Sequence, residues 1–127
     1  MIHKLKHALD KHFPIKITLY EWDGDNLFIG SDNWSFNTIS AWRILKDGYM
    51  LAGCHDPDVE PILKEAVCQE VIGIECLKSN PSFDLEFIME GNYKLQVFCT
   101  TYYEPWIFRI DGQSTFVASP SDRNLQI

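Results

Sequence analysis

The fold is decided by Phe83-Asp84-Leu85-Glu86-Phe87-Ile88-Met89-Glu90-Gly91-Asn92-Tyr93-Lys94-Leu95-Gln96-Val97-Phe98-Cys99. Phe83, Leu85, Phe87 and Met89 alternate with Asp84, Glu86 and Ile88, and Tyr93, Leu95, Val97 and Cys99 alternate with Lys94, Gln96 and Phe98. A period of two places each apolar set on one face of a strand. Loop length then selects the register. A two-residue turn at Glu90-Gly91 sets Phe87 opposite Lys94 and mixes the faces. A three-residue loop, Glu90-Gly91-Asn92, pairs Met89 with Tyr93, Phe87 with Leu95, Leu85 with Val97 and Phe83 with Cys99. This second register buries one coherent apolar face and is the expected one.

Further strand signals lie on both sides. Ile15, Ile17 and Leu19 alternate with Lys16, Thr18 and Tyr20, which predicts a half-buried strand, and Asp23-Gly24-Asp25-Asn26 turns it into Leu27–Ile29. Ser31-Asp32-Asn33 leads into Trp34–Ile39, with Trp34 and Phe36 on one face. Trp42–Leu45 and Tyr49–Gly53 flank Lys46-Asp47-Gly48, Gly73 and Ile74–Leu77 return the chain to strand, and Trp106–Ile110 and Thr115–Ala118 surround Asp111-Gly112-Gln113. About nine short strands at regular spacing predict an α+β, mainly β fold, an antiparallel meander folded as a sandwich or open barrel.

Two helices accompany the strands. Ile2, Leu5, Leu9 and Phe13 recur three and four apart, so residues 2–13 read as an amphipathic helix with Lys4, His7 and Lys11 on another face. Pro14 ends it. Val59, Ile62, Leu63, Ala66 and Val67 mark a second helix over 59–68, with Asp58 as N-cap, Pro61 in the first turn and Glu60 four residues before Lys64. A single domain therefore covers 1–127: the N-terminal helix within 1–13, a β-rich body over 15–119 and a polar tail over 120–127.

The charge is skewed along the chain. Residues 1–16 hold four lysines against Asp10, a net +3, while residues 17–127 hold seven Lys/Arg against seventeen Asp/Glu, a net −10. An acidic β-rich body points to a basic partner and away from direct nucleic-acid binding, because it repels phosphate. The 46% apolar and 13% aromatic content exclude wholesale disorder. No apolar run approaches the roughly 20 residues of a membrane span, and the N-terminus lacks the apolar core of a secretory signal, so a cytoplasmic location is expected. Cys54, Cys68, Cys76 and Cys99 match no zinc spacing and are read as free thiols.

Motifs of chemistry are weak. Cys54-His55-Asp56 holds the residue types of nucleophile, base and orienter, but neighbours in a strand point to opposite faces. His3 and His7 lie one helical turn apart and His12 rotates away, too few ligands for a metal site. Two acidic clusters, Glu21/Asp23/Asp25 and Asp56/Asp58/Glu60, lack the glycine and closing glutamate of a calcium loop. No phosphate-binding or dinucleotide motif occurs. No catalytic, metal-binding or cofactor-binding residue is assigned. The acidic clusters are read instead as loop carboxylates that steer a basic partner, with Trp22, Tyr102 and Tyr103 as aromatic anchors.

Asp32-Asn33-Trp34-Ser35-Phe36, Ser40-Ala41-Trp42-Arg43-Ile44 and Gly53-Cys54-His55-Asp56, followed by Asp84-Leu85-Glu86-Phe87, Leu95-Gln96-Val97-Phe98 and Tyr103-Glu104-Pro105-Trp106, resemble in their order small bacterial proteins encoded beside polymorphic toxins. The similarity is to the immunity proteins of the Maf toxin–immunity systems and spans residues 15–119. It implies a cytoplasmic, non-enzymatic protein that binds and neutralises the C-terminal domain of its cognate toxin, often a nuclease. It brings no site residues with it and leaves monomer and homodimer equally open. The alternative is a small enzyme or ligand-binding β-domain using a pocket near Cys54-His55-Asp56.

Overall fold

The Leu85–Val97 hairpin forms in the register that its alternation requires. In the computed structural model, which describes residues 2–78, 84–100, 104–112 and 115–118, Leu85 pairs with Val97, Phe87 with Leu95 and Met89 with Tyr93. The expected pairing of Phe83 with Cys99 lies outside the described residues. Gly91 (φ 72°) and Asn92 (φ 61°) take the left-handed conformations that let a three-residue loop close.

In chain order the elements are α1 (Ile2–Leu9), β1 (Leu19–Trp22), β2 (Leu27–Gly30), β3 (Trp34–Thr38), β4 (Trp42–Lys46), β5 (Tyr49–Gly53), α2 (Val59–Val67), β6 (Val71–Cys76), β7 (Leu85–Met89), β8 (Tyr93–Val97), β9 (Trp106–Ile110) and β10 (Thr115–Val117). A single 3-10 turn, Glu90–Asn92, joins β7 to β8. The ten described strands form two open antiparallel sheets, ordered β1-β2-β3-β9-β10 and β5-β4-β8-β7-β6. The fold is thus mainly β with two helices, as the alternation predicts. No described helix is long and apolar enough to cross a membrane.

The sheets meet through the apolar faces that the period of two creates. Phe36 of β3 packs edge-on against Phe87 of β7 at 4.9 Å between ring centroids. Phe108 of β9 stacks on Phe87 at 6.3 Å and on Trp34 at 5.5 Å. All four rings are buried. The outer face of the second sheet is polar and self-paired: Arg43 Nε donates to Gln96 Oε1 (2.7 Å) and Gln96 Nε2 donates to Glu86 Oε2 (2.6 Å).

Three expectations are corrected. The N-terminal helix stops at Leu9 rather than Phe13; Leu5 and Leu9 are buried, and the chain continues as a turn to His12. Residues 15–20 are not one strand. Ile15 N and O both bond Val71 at the edge of β6, while Thr18 N bonds Gly30 O at β2, so this stretch passes from one sheet to the other and pairs regularly only from Leu19. Leu19 is consequently exposed. Asp58 sits at the N-cap of α2 but makes no capping side-chain bond; Val59 N bonds Asp56 O instead.

The helix α2 is tied to β8 by the Tyr93 hydroxyl, which donates to Glu65 Oε1, while Lys46 Nζ lies 4.7 Å over the Tyr93 ring. The bond to Glu65, with burial behind it, raises the Tyr93 phenol above its ordinary range. The stabilisation is complete below about pH 10 and is lost as pH rises through the raised value. A tyrosinate absorbance titration should therefore show a late transition that Tyr93→Phe removes and Glu65→Gln moves back down. Separately, Phe87→Ala opens a cavity at the sheet interface and should lower unfolding stability by about 3–5 kcal/mol in urea denaturation.

Candidate functional site

Two acidic loops far apart in sequence come together where β1 and β5 end. After Trp22, Asp23–Asn26 turns β1 into β2; after Gly53, residues 54–58 lead from β5 into α2. Between them lies an open trough of about 410 Å³, whose lining includes Trp22, Asp23, Cys54, His55, Asp56 and Glu60. A narrower notch of about 150 Å³ continues from the same Trp22–His55 pair, past Asp25, to Ser40 and Thr100. The described residues lining both hollows include no Lys or Arg.

Each wall has a local cause. Asp23 Oδ1 accepts bonds from the backbone N of Asn26 (2.7 Å) and Asp25 (2.9 Å), which fixes the turn, and Gly24 takes φ 99° within it. Those two bonds, the one from Asn26 foremost, hold the Asp23 carboxyl below the ordinary carboxylate range, so it stays ionised as pH falls toward 4. Opposite, Asp56 Oδ2 accepts from Gly53 N (2.9 Å) and closes the loop after β5. The far end rests on the crossover from β3 to β4, where Thr38 Oγ1 accepts from Ser40 N (3.0 Å) and Thr100 Oγ1 accepts from Ala41 N (3.0 Å).

Trp22 forms the floor. Its ring meets Trp42 in a T-shaped contact at 5.0 Å and lies 6.3 Å from the His55 ring. Trp42 is buried, and its Nε1 has no hydrogen-bond partner among the described residues, a cost of about 1–3 kcal/mol that the surrounding packing offsets. Of the four tryptophans, Trp22 alone is partly exposed.

The sequence-derived residues divide accordingly. Trp22, Asp23, Asp25, Asp56 and Glu60 share the cleft, and Asp58 lies on the same loop without lining it. Glu21 is set against Phe28, one residue out of phase with Trp22, and so faces the outer side of its sheet. Tyr102 and Tyr103 fall outside the described residues. Ser40 and Thr100 were not expected, since only the crossover brings them here.

Cys54, His55 and Asp56 all line the trough. Cys54 reaches the wall with only 8% of its surface exposed, His55 turns toward Trp22, and the Asp56 carboxylate accepts from Gly53 N. No described group of three or more His, Cys, Asp or Glu side chains is placed to hold a metal ion. An open trough rimmed with carboxylates also differs from the enclosed, mostly apolar hollows that bind small molecules. What the arrangement can do is attract a cation to the face of an indole. Comparisons with family models, curated proteins and solved structures find no match.

The electrostatics are testable in solution. Caesium, a cation, should quench the Trp22 fluorescence more strongly than iodide does, relative to neutral acrylamide. Trp22→Phe should remove most of the quenchable signal. Equal or reversed caesium and iodide quenching contradicts an acidic cleft.

Proposed function

We propose that this chain is a cytoplasmic immunity protein that binds the C-terminal domain of a cognate toxin, a basic nuclease, and neutralises it. The observation that carries the reading is the meeting of two acidic loops, some thirty residues apart in sequence, around a partly exposed tryptophan. The resemblance of residues 15–119 to immunity proteins of the Maf systems supports it further.

The physical logic is charge mimicry. A nuclease presents Lys and Arg where it engages phosphate. Asp23, Asp25, Asp56 and Glu60 offer those cations carboxylates in place of phosphate oxygens, and the Trp22 ring offers a face on which a guanidinium or ammonium can stack. A cation held in this way is withdrawn from substrate. Long-range attraction between the acidic body and the basic domain speeds encounter, which matters when the toxin must be met before it acts.

The test uses the toxin domain encoded next to this chain's gene. Mixing the purified proteins should give a tight complex, and co-expression should abolish toxicity. The triple variant Asp23→Asn/Asp56→Asn/Glu60→Gln keeps the carbonyl oxygens that accept the turn bonds but removes three charges. It should weaken binding at least tenfold, about 1.4 kcal/mol, with a shallower dependence on salt. Failure of the wild-type chain to bind or protect sinks the proposal.

A further inference from the structure

The strand β5 is the outermost of its sheet, and its Tyr49, Met50 and Leu51 are 77%, 56% and 42% exposed. Three consecutive exposed apolar residues, with no charge or proline among them, are unusual on an edge strand, which is ordinarily blunted against association. The opposite edge of the same sheet is handled differently: Ile15 bonds Val71 of β6 through both N and O, and Lys6 of α1 pairs with Glu75 at 2.9 Å. The register between β4 and β5 shifts so that Ile44 faces Ala52 while Leu45 faces Met50, leaving Leu51 as an extra residue on β5. A bulged edge is a poor template for backbone pairing, so this segment presents side chains rather than a free ladder.

The ridge leads directly into the cleft. Met50 Cε lies back over Gly53, 3.2 Å from where a Cβ at that glycine would stand. Leu51 is three residues, about 10 Å along the strand, from Cys54 at the cleft wall. We infer that Tyr49–Leu51 is the apolar anchor of the same interface: a basic protein domain that places its cations in the cleft lays an apolar patch on this ridge. The inference rests on the partner reading given above. Charge decides the occupant. Lys46, set against Tyr49 in the β4–β5 register, and Asp47 offset each other at one end of the ridge, while Asp56, Asp58 and Glu60 lie at the other, on a chain of net charge −7. A second copy brings the same acidic cleft end and the same net negative charge, which repel the first, whereas a basic domain meets opposite charge at the cleft end. The two parts then divide the work, since exposed charges chiefly set the rate of encounter and a well-packed apolar centre sets residence.

Binding kinetics of the neighbouring toxin domain, measured at two salt concentrations, separate the two contributions. Tyr49→Thr/Met50→Gln/Leu51→Thr should raise the dissociation rate at least tenfold while leaving the association rate and its salt dependence unchanged. Tyr49→Ala, at the most exposed position, should act in the same direction and guards against a triple variant that fails to fold. Asp23→Asn/Asp56→Asn/Glu60→Gln should instead slow association and flatten its salt dependence. An unchanged dissociation rate in both ridge variants, with the cleft variant still impaired, overturns the anchor and leaves the cleft reading standing. A faster dissociation in the ridge variants with an unimpaired cleft variant overturns the cleft reading and keeps the anchor. Self-association of the wild-type chain by light scattering, abolished by the ridge variants, assigns the ridge to a second copy and overturns the inference.

Discussion

The structure depends on Phe87 lying between Phe36 and Phe108 at the interface of the two sheets. One ring contacts both β3 and β9 from the facing layer, so the sheets can only close if the β7–β8 hairpin presents Phe87, Leu85 and Met89 inward. A register slip of one residue would turn that face out and bring Glu86 and Ile88 against the opposing aromatics. The choice of a three-residue loop at Glu90–Asn92 is therefore a choice of which layer interface the protein has.

From that interface the cleft follows through connectivity. The crossover after β3 carries the chain from the first sheet to the second, and Thr38 is buried there with its hydroxyl donating to Pro105 O at 2.6 Å. This anchors the end of β3 beside the start of β9 and sets Ser40 next to Thr100. Trp42 then enters the second sheet beneath Trp22 of the first. The Trp22–Trp42 contact brings together the ends of β1 and β5, and with them two loops whose carboxylates have no structural reason to be neighbours except the packing of the indoles. Like charges held near one another cost stability. On exposed loops water screens them, so that cost is small.

Much of this was legible in the sequence, and the failures have physical causes. The hairpins could be read because alternation and turn residues are local: Asp47 and Gly48, at φ 53° and 84°, close β4 onto β5 as a two-residue turn. Residues 15–20 alternate equally well, yet they serve two sheets in succession, and alternation says nothing about which neighbour a strand will find. The helix ends at Leu9, yet Phe13 still packs against the core from beyond it, so the spacing to Phe13 marks burial rather than continued helix. Asp84 reads as an outward carboxylate but is buried, accepting from Cys99 N at 2.7 Å. The acidic clusters could each be named from the sequence, but not their convergence, which is a property of the Trp22–Trp42 packing. Glu21 was included by proximity in the chain and lost by phase. The exposed ridge could not be foreseen, because the extra residue at Leu51 breaks the alternation that would have assigned it a face.

The proposed partner, a basic toxin domain, would seat on the ends of β1 and β5. Amide hydrogen exchange of this chain, with and without that domain, tests that seating most directly. Seating there slows exchange at Asp23–Asn26, at residues 54–59 and along Tyr49–Leu51, and leaves β9 and β10 unaltered. Protection confined to β9 and β10, or to α1, with those loops exchanging as in the free protein, would contradict it.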